Sequence, residues 1–265
     1  MAESKARTIL ITGASSGIGR ELALIYARPG ISLSLTGRNE ERLEETSAAA
    51  RALGAEVNAR KLDVRDQQAM AEWIAAEDKR RPFDLAIANA GITTGLSPSG
   101  IAEEPQAVRA IIGTNLIGVF NTVEPLIGPM CRRGFGHIAF VGSIAGLRAL
   151  PYAPAYCAAK AAVHAYSESL RGRLERKGVR VTLIVPGFVK TPLNDSIDAI
   201  KPFEISGAQA ARIIRRGLER GQPVVAFPRS LYLLSRFARV LPVRLVDKIM
   251  ARIEVNIPQT QERIS

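Results

Sequence analysis

At 265 residues and 47% apolar side chains, the chain can form one large α/β domain or two small ones, with a substantial buried core. Its two cysteines, Cys131 and Cys157, are too few for a disulfide framework, and His137 and His164 stand in no metal-binding spacing, so no metal site is expected. The net charge of +11 is concentrated late, with 12 Lys and Arg against 5 Asp and Glu from Lys201 to Ser265. That balance suits an anionic lipid, an acidic substrate or a plain solvated surface; nucleic acid is not an expected partner, because aromatic residues are not interleaved with the basic ones.

Met1-Ala2-Glu3-Ser4-Lys5 is polar and carries no secretory pattern. No uninterrupted apolar run reaches about 18 residues, so a spanning helix is not expected and a cytoplasmic location is. Thr8-Ile9-Leu10-Ile11 reads as a strand, followed by the glycine turn Gly13-Ala14-Ser15-Ser16-Gly17-Ile18-Gly19 and an amphipathic helix over Arg20–Tyr26. A strand over 31–36 and a helix over 40–53 come next, then a strand over 57–62 and a helix over 65–79. Phe83–Ala88 is a buried-type strand ending at Asn89-Ala90-Gly91. A long helix is predicted over 105–131, a strand over 137–141, and a helix carrying Tyr156 to Lys177. Strands over 179–185 and 224–227 close the series. Strands alternating with helices imply parallel pairing and right-handed crossovers, hence a single-domain doubly wound α/β sheet of Rossmann type with helices on both faces.

In such sheets ligands lie beyond the carboxyl ends of the strands. Gly13, Asp63, Asn89, Ser143 and Pro186-Gly187 all follow predicted strands. The first turn places backbone N–H groups and a helix N-terminus where a pyrophosphate could bind. Tyr156 and Lys160, four residues apart, share a helical face, and an ammonium there favours the phenolate. Ser143 could donate a hydrogen bond to a substrate oxygen. Cys157 reads as a small core residue rather than a nucleophile.

Together these residues resemble the compact branch of the short-chain dehydrogenase/reductase family over about residues 8 to 227. The shared motifs are Thr12 to Gly19, Asn89-Ala90-Gly91, Asn115, the Ser143, Tyr156 and Lys160 set, and Pro186-Gly187-Phe188-Val189-Lys190-Thr191. The resemblance implies that Tyr156 is the general acid/base and Ser143 polarises the substrate oxygen. Lys160 would lower the Tyr156 pKa and hold the nicotinamide ribose, and Asn115 would anchor a water. It further implies that Gly13, Ser15, Ser16, Gly17, Ile18 and Gly19 cradle the dinucleotide, with Asn89, Ala90 and Gly91 alongside. Asp63 and Val64 would lie at the adenine, and Pro186, Gly187, Val189 and Thr191 at the nicotinamide.

No acid stands after the second strand until Glu40. Arg38 offers a fork suited to a 2′-phosphate and Gly37 leaves room, so NADP (NADPH) is the expected cofactor. The expected reaction interconverts a secondary alcohol and a ketone. The chain continues for nearly forty residues after Phe227 instead of stopping there, which is similar to members acting on retinoids, steroids or ketosphinganine. A non-catalytic nucleotide-sensing or scaffolding relative should lack Tyr156 or Lys160, and both are present. Residues 93–100, 144–155 and a lid over 192–205 are expected to line the substrate pocket, with Leu147, Leu150, Leu193 and Ile197 apolar.

A homodimer or homotetramer is expected, through the helices around Asn115 and Tyr156. The extension over 228–265 is expected to be helical. Leu231, Leu234, Phe237 and Leu241 lie among Arg229, Arg236 and Arg239. Leu245, Ile249 and Ile253 repeat the pattern beside Arg244, Lys248 and Arg252. Such stripes suit packing or peripheral contact with an anionic membrane.

Overall fold

The computed structural model describes residues 6–97, 101–195, 201–238, 240–244 and 248. Strands β1 (Thr8–Thr12), β2 (Ser32–Gly37) and β3 (Glu56–Lys61) alternate with helices α1 (Gly17–Tyr26), α2 (Glu40–Ala52) and α3 (Gln67–Arg80). Strand β4 (Leu85–Ala88) leads to α4 (Pro105–Ile112), a π-helical turn (Gly113–Ile117) and α5 (Gly118–Arg133). Then come β5 (Gly136–Val141), a 3-10 turn (Ile144–Gly146), α6 (Pro154–Leu174) and β6 (Val179–Pro186). Two short strands, β7 (Val189–Lys190) and β8 (Ile205–Ser206), flank α7 (Pro192–Asp195), and α8 (Gly207–Glu219), β9 (Val224–Phe227) and α9 (Arg229–Phe237) complete the order.

The main sheet has seven strands in the order β3-β2-β1-β4-β5-β6-β9, with every pair parallel. The order reverses between β1 and β4, which is where a doubly wound sheet opens a crevice at its carboxyl edge. Its inner strands β1, β4 and β5 are buried throughout because both faces are covered, whereas the edge strand β3 is largely exposed. Ile9, Ile11, Leu33, Leu35, Ala139 and Val141 pack against Leu22, Leu43, Ala50, Ile214 and Leu218 of α1, α2 and α8. Their sequence neighbours Leu10, Ile138 and Phe140 face the other way, against Met70, Trp73, Val119, Leu126 and Val163 of α3, α5 and α6.

Three features differ from the sequence reading. The long helix predicted over 105–131 is interrupted by the π-helical turn, where the Asn115 side chain exchanges hydrogen bonds with the backbone of Ile92 and draws the chain inward. Helix α8 was not predicted, although Ser206 and Gln209 form a capping box that marks its start. Its apolar positions Ala210, Ala211, Ile214 and Leu218 are all buried. Helix α9 turns Leu233, Leu234 and Phe237 outward, about 60% exposed each, while Leu231 is half-buried and Ser235 buried. Of the tail residues in the predicted stripes, Arg239, Leu245, Ile249, Arg252 and Ile253 lie outside the described residues. Ile197 of the predicted lid lies outside them too.

The run from α4 to α5, residues 105–133, has the length and apolarity of a membrane span. Its Val119, Val123, Leu126 and Met130 are fully packed beneath the sheet, which identifies it as a core helix.

Candidate active site

Gly13 ends β1 with φ of +67°, and a Cβ there would stand 2.8 Å from Ala90 Cα. Gly19 is equally constrained, since a Cβ on it would strike the Gly13 carbonyl oxygen. Asn89 fastens this turn to the end of β4: its Nδ2 donates to Thr12 O at 2.9 Å, and its backbone N–H donates to Thr12 Oγ1 at 3.1 Å. The Ala90 N–H also donates to Thr12 Oγ1, at 3.2 Å. Asn89 and Ala90 therefore shape the turn, and Gly91 follows beside Asn115 and Lys160. Ser16 stands at the N-cap of α1 and gives that helix no side-chain hydrogen bond, and no acid occupies its first turn. Its leading amides, from Gly17 and Ile18 onward, and its dipole thus favour an anion. That geometry fits a dinucleotide pyrophosphate. The opposite wall is close: Thr191 Cγ2 lies 3.3 Å from where a Cβ on Gly17 would be.

Along the same edge, Gly37 presses on Ser15, whose Oγ is 2.9 Å from the position of a Cβ on Gly37. Arg38 is half-buried there, close enough to act on the Asp63 charge. The Asp63 carboxyl is opposed by desolvation but held below its ordinary range by hydrogen bonds from Arg65 and by the charges of Arg65 and Arg38. Arg65 donates to it from Nε at 2.8 Å, Nη2 at 2.6 Å and its backbone N–H at 2.9 Å. Val64 is buried, and its carbonyl accepts from Asn121 at 2.8 Å. Farther along, Gly187 N–H donates to Phe227 O at 2.7 Å, which ties the Pro186-Gly187 turn to β9, and Val189 and Thr191 are buried.

Tyr156, Ser143, Lys160 and Asn115 come together beyond β4 and β5. The Tyr156 and Ser143 hydroxyls are hydrogen-bonded. Ser143 Oγ also accepts from Ala145 N–H at 3.1 Å, which fixes its rotamer at the head of the 3-10 turn. Lys160 is buried, donates to Val141 O at 2.8 Å and sits 5.7 Å from the centre of the Tyr156 ring. Gly91 joins them: a Cβ there would lie 3.2 Å from Asn115 Oδ1 and 3.6 Å from Lys160 Nζ. The Asn115 side chain is engaged with Ile92, accepting from its N–H and donating to its carbonyl, both at 2.7 Å.

One electrostatic expectation is reversed. The sequence reading had Lys160 lower the Tyr156 pKa. Here desolvation pushes the phenol up to about 12, against a downward pull from the Ser143 hydrogen bond and with a further upward push from Cys157. Lys160 is itself pushed down to about 8 by burial. At neutral pH the phenol is therefore loaded with its proton.

Two further side chains hold this cluster and escaped the sequence reading. Ala153 provides α6 with no side-chain cap, and Glu103, 52 residues earlier than Ala155, accepts from the Ala155 N–H at 2.8 Å instead. Desolvation raises the Glu103 pKa, opposed by that hydrogen bond. His164 Nε2 accepts from the Ser143 N–H at 3.3 Å. No local pattern marks Glu103, whereas His164 follows Tyr156 and Lys160 at the same four-residue interval. Among the described residues, no group of three His, Cys, Asp or Glu is placed to hold a metal. Cys157 is buried, accepts from Leu150 N–H at 3.2 Å and has its thiol pKa raised by desolvation, which suits a packing residue.

Residues 7–201 match the short chain dehydrogenase family. The chain belongs to it. As a short-chain dehydrogenase/reductase it is an oxidoreductase with a nucleotide-binding sheet. It is similar to an uncharacterized oxidoreductase of Myxococcus xanthus, with 39% identity over 96% of this chain and all of that protein. Among solved structures it resembles a short-chain dehydrogenase from Sphingobium yanoikuyae in complex with NADPH. That match has a TM-score of 0.77 and 25% identity, covering 93% of this chain and 96% of the other. A short-chain dehydrogenase/reductase from Burkholderia phymatum in complex with NAD shares the fold, with a TM-score of 0.79 at 22% identity over 98% of this chain and all of that one.

Proposed function

We propose that this short-chain dehydrogenase/reductase interconverts a secondary alcohol and a ketone, with NADP as the preferred cofactor and an apolar, lipid-like substrate. The observation that carries the reading is the gathering of Tyr156, its hydrogen-bond partner Ser143, buried Lys160 5.7 Å from the Tyr156 ring, and Asn115 beside Gly91. The nicotinamide dinucleotide supplies or accepts the hydride. The chain's own residues do the rest. Ser143 orients the substrate oxygen, Tyr156 gives it a proton or takes one, and Lys160 holds the nicotinamide ribose beside them while Asn115 anchors a water. The amides of Gly17, Ile18 and Gly19 hold the pyrophosphate, Asp63 and Val64 border the adenine, and Val189 and Thr191 border the carboxamide. A phenol protonated at neutral pH is the form that reduction of a ketone consumes. NADPH oxidation measured against a panel of lipophilic and polar ketones tests the reading, and activity confined to polar ketones would remove the lipid-like part.

The preference for NADP rests on Arg38 and on the lack of an acid at Gly37 or Asn39. Arg38→Ala should weaken NADPH binding by about 2 kcal/mol and leave NADH little changed, as expected for a lost charge-assisted pair. Titration of both cofactors against both proteins reads this directly. Equal losses would mean that Arg38 does not recognise the 2′-phosphate.

The same reading treats the 265 residues as one cofactor-binding domain with a substrate lid over 192–205. Ile144, Leu147 and Tyr232 pack in one apolar cluster, so the C-terminal extension starts against the Ser143 turn. The exposed Leu233, Leu234 and Phe237 beside Arg229 and Arg236 support peripheral contact of this extension with an anionic membrane. A two-fold assembly through α5 and α6 is the expected quaternary state. Light scattering with and without anionic vesicles tests both points. The expected result is a species larger than the 28.6 kDa chain, and its transfer to vesicles at low salt but not at high salt. A 28.6 kDa species that ignores the vesicles would remove both.

A further inference from the structure

Three successive turns of α6 grip one short stretch of backbone. Tyr156 is hydrogen-bonded to the Ser143 hydroxyl, Lys160 donates to the Val141 carbonyl, and His164 accepts from the Ser143 N–H. The residues stand at i, i+4 and i+8, so they line one face of the helix. The imidazole of His164 is buried and inserted into the loop between two glycines. A Cβ on Gly142 would collide with its Nε2, and one on Gly146 would stand 3.0 Å from the same atom. The loop thus has no side chain at the two positions where one would displace the ring.

We propose that His164 is a positioning residue that holds Ser143 in register with Tyr156. Its Nε2 fixes the Ser143 amide while Ala145 N–H fixes the Ser143 hydroxyl, so the backbone and side chain of one residue are clamped from two sides. Accepting through Nε2 requires that nitrogen to be unprotonated, with the ring proton on Nδ1. Without this acceptor the Ser143 amide loses its partner at a half-buried site, and the turn is free to move the hydroxyl away from Tyr156. The role rests on the proposal that Ser143 and Tyr156 act on the substrate. It adds a residue that touches neither substrate nor cofactor.

The test is a double-mutant cycle on the full chain, with a ketone that the wild type accepts and NADPH as the reductant. His164→Leu should lower kcat about tenfold or more while NADPH affinity stays within about twofold, because the loss falls on a contact made through Ser143. His164→Gln, which can place an amide oxygen where Nε2 was, should recover to within about threefold of wild type. In a Ser143→Ala background, His164→Leu should cost almost nothing further, since coupled residues are not additive. Full additivity in that background, or equal damage from Leu and Gln, would assign His164 to packing alone and overturn the proposal. Should His164→Leu not fold, His164→Gln carries the contrast. Near-wild-type activity supports the role, and a loss as large as that of Ser143→Ala overturns it. Tyr156→Phe assayed in parallel separates the two readings. If it remains active, the catalytic assignment itself fails; if it is inactive while His164→Leu behaves as wild type, only the positioning role does.

Discussion

Tyr156→Phe should lower turnover about 10²- to 10⁴-fold, the range expected when a general acid/base is removed, with NADPH affinity nearly unchanged. The substitution deletes one hydroxyl and little volume, so the half-buried ring still packs where it did. Its chemical effect is specific because the neighbouring groups are engaged elsewhere: the Lys160 ammonium donates to Val141 O, and Cys157 faces Leu150. Steady-state rates on an accepted ketone, together with NADPH titration, read both halves. A variant that keeps half its activity would show that the proton comes from elsewhere.

Lys160→Met should abolish most turnover and yet make the fold more stable at neutral pH. The ammonium is buried, and desolvation lowers its pKa from 10.5 to about 8. Between those values the unfolded chain binds more protons than the folded one, so stability rises with pH across that window, and below pH 8 the full cost of burying the charge is present. A shift of that size corresponds to roughly 3 kcal/mol, and losing the hydrogen bond to Val141 O returns about 1, which leaves a net gain on the order of 2 kcal/mol at pH 7. Melting temperatures of both proteins at pH 7 and pH 10 check the sign. The variant should melt higher at pH 7, and the gap should shrink toward pH 10. A variant that melts lower at pH 7 would mean that the Lys160 charge is better compensated than its hydrogen bond to Val141 O and its position beside the Tyr156 ring imply.

The parts of the molecule legible in the sequence are those with a short local period. The apolar runs of β1, β5 and β6 and the glycine turn gave the sheet, its direction and the crevice at its edge, because strand, turn and helix start within a dozen residues of each other. Helix α8 was missed despite its capping box, since its arginines at 212, 215 and 216 obscure the buried stripe of Ala210, Ala211, Ile214 and Leu218. The break at Gly113–Ile117 was not legible either. It depends on Asn115 meeting the backbone of Ile92, 23 residues earlier.

The same distinction holds at the site. Spacing brought Tyr156 and Lys160 together, but the direction of the Tyr156 pKa depends on how far the hydroxyl is withdrawn from water, which spacing does not contain. Glu103 is invisible in the sequence for a related reason, because a carboxylate that caps a helix from 52 residues away belongs to no local motif. His164 stood in the pattern at i+8 from Tyr156, where its meaning depended on the two glycines folded around it.

The most direct test follows the transferred hydride with and without the Tyr156 hydroxyl. NADPH deuterated at the transferable position would be incubated with the protein and a panel of lipophilic ketones, and the products examined for label at the carbinol carbon. The account predicts one deuterium transferred per NADPH consumed for at least one ketone, with transfer lost in Tyr156→Phe while that variant still binds NADPH. Binding of NADPH with no label transferred to any ketone, or equal transfer by the Tyr156→Phe variant, would contradict it.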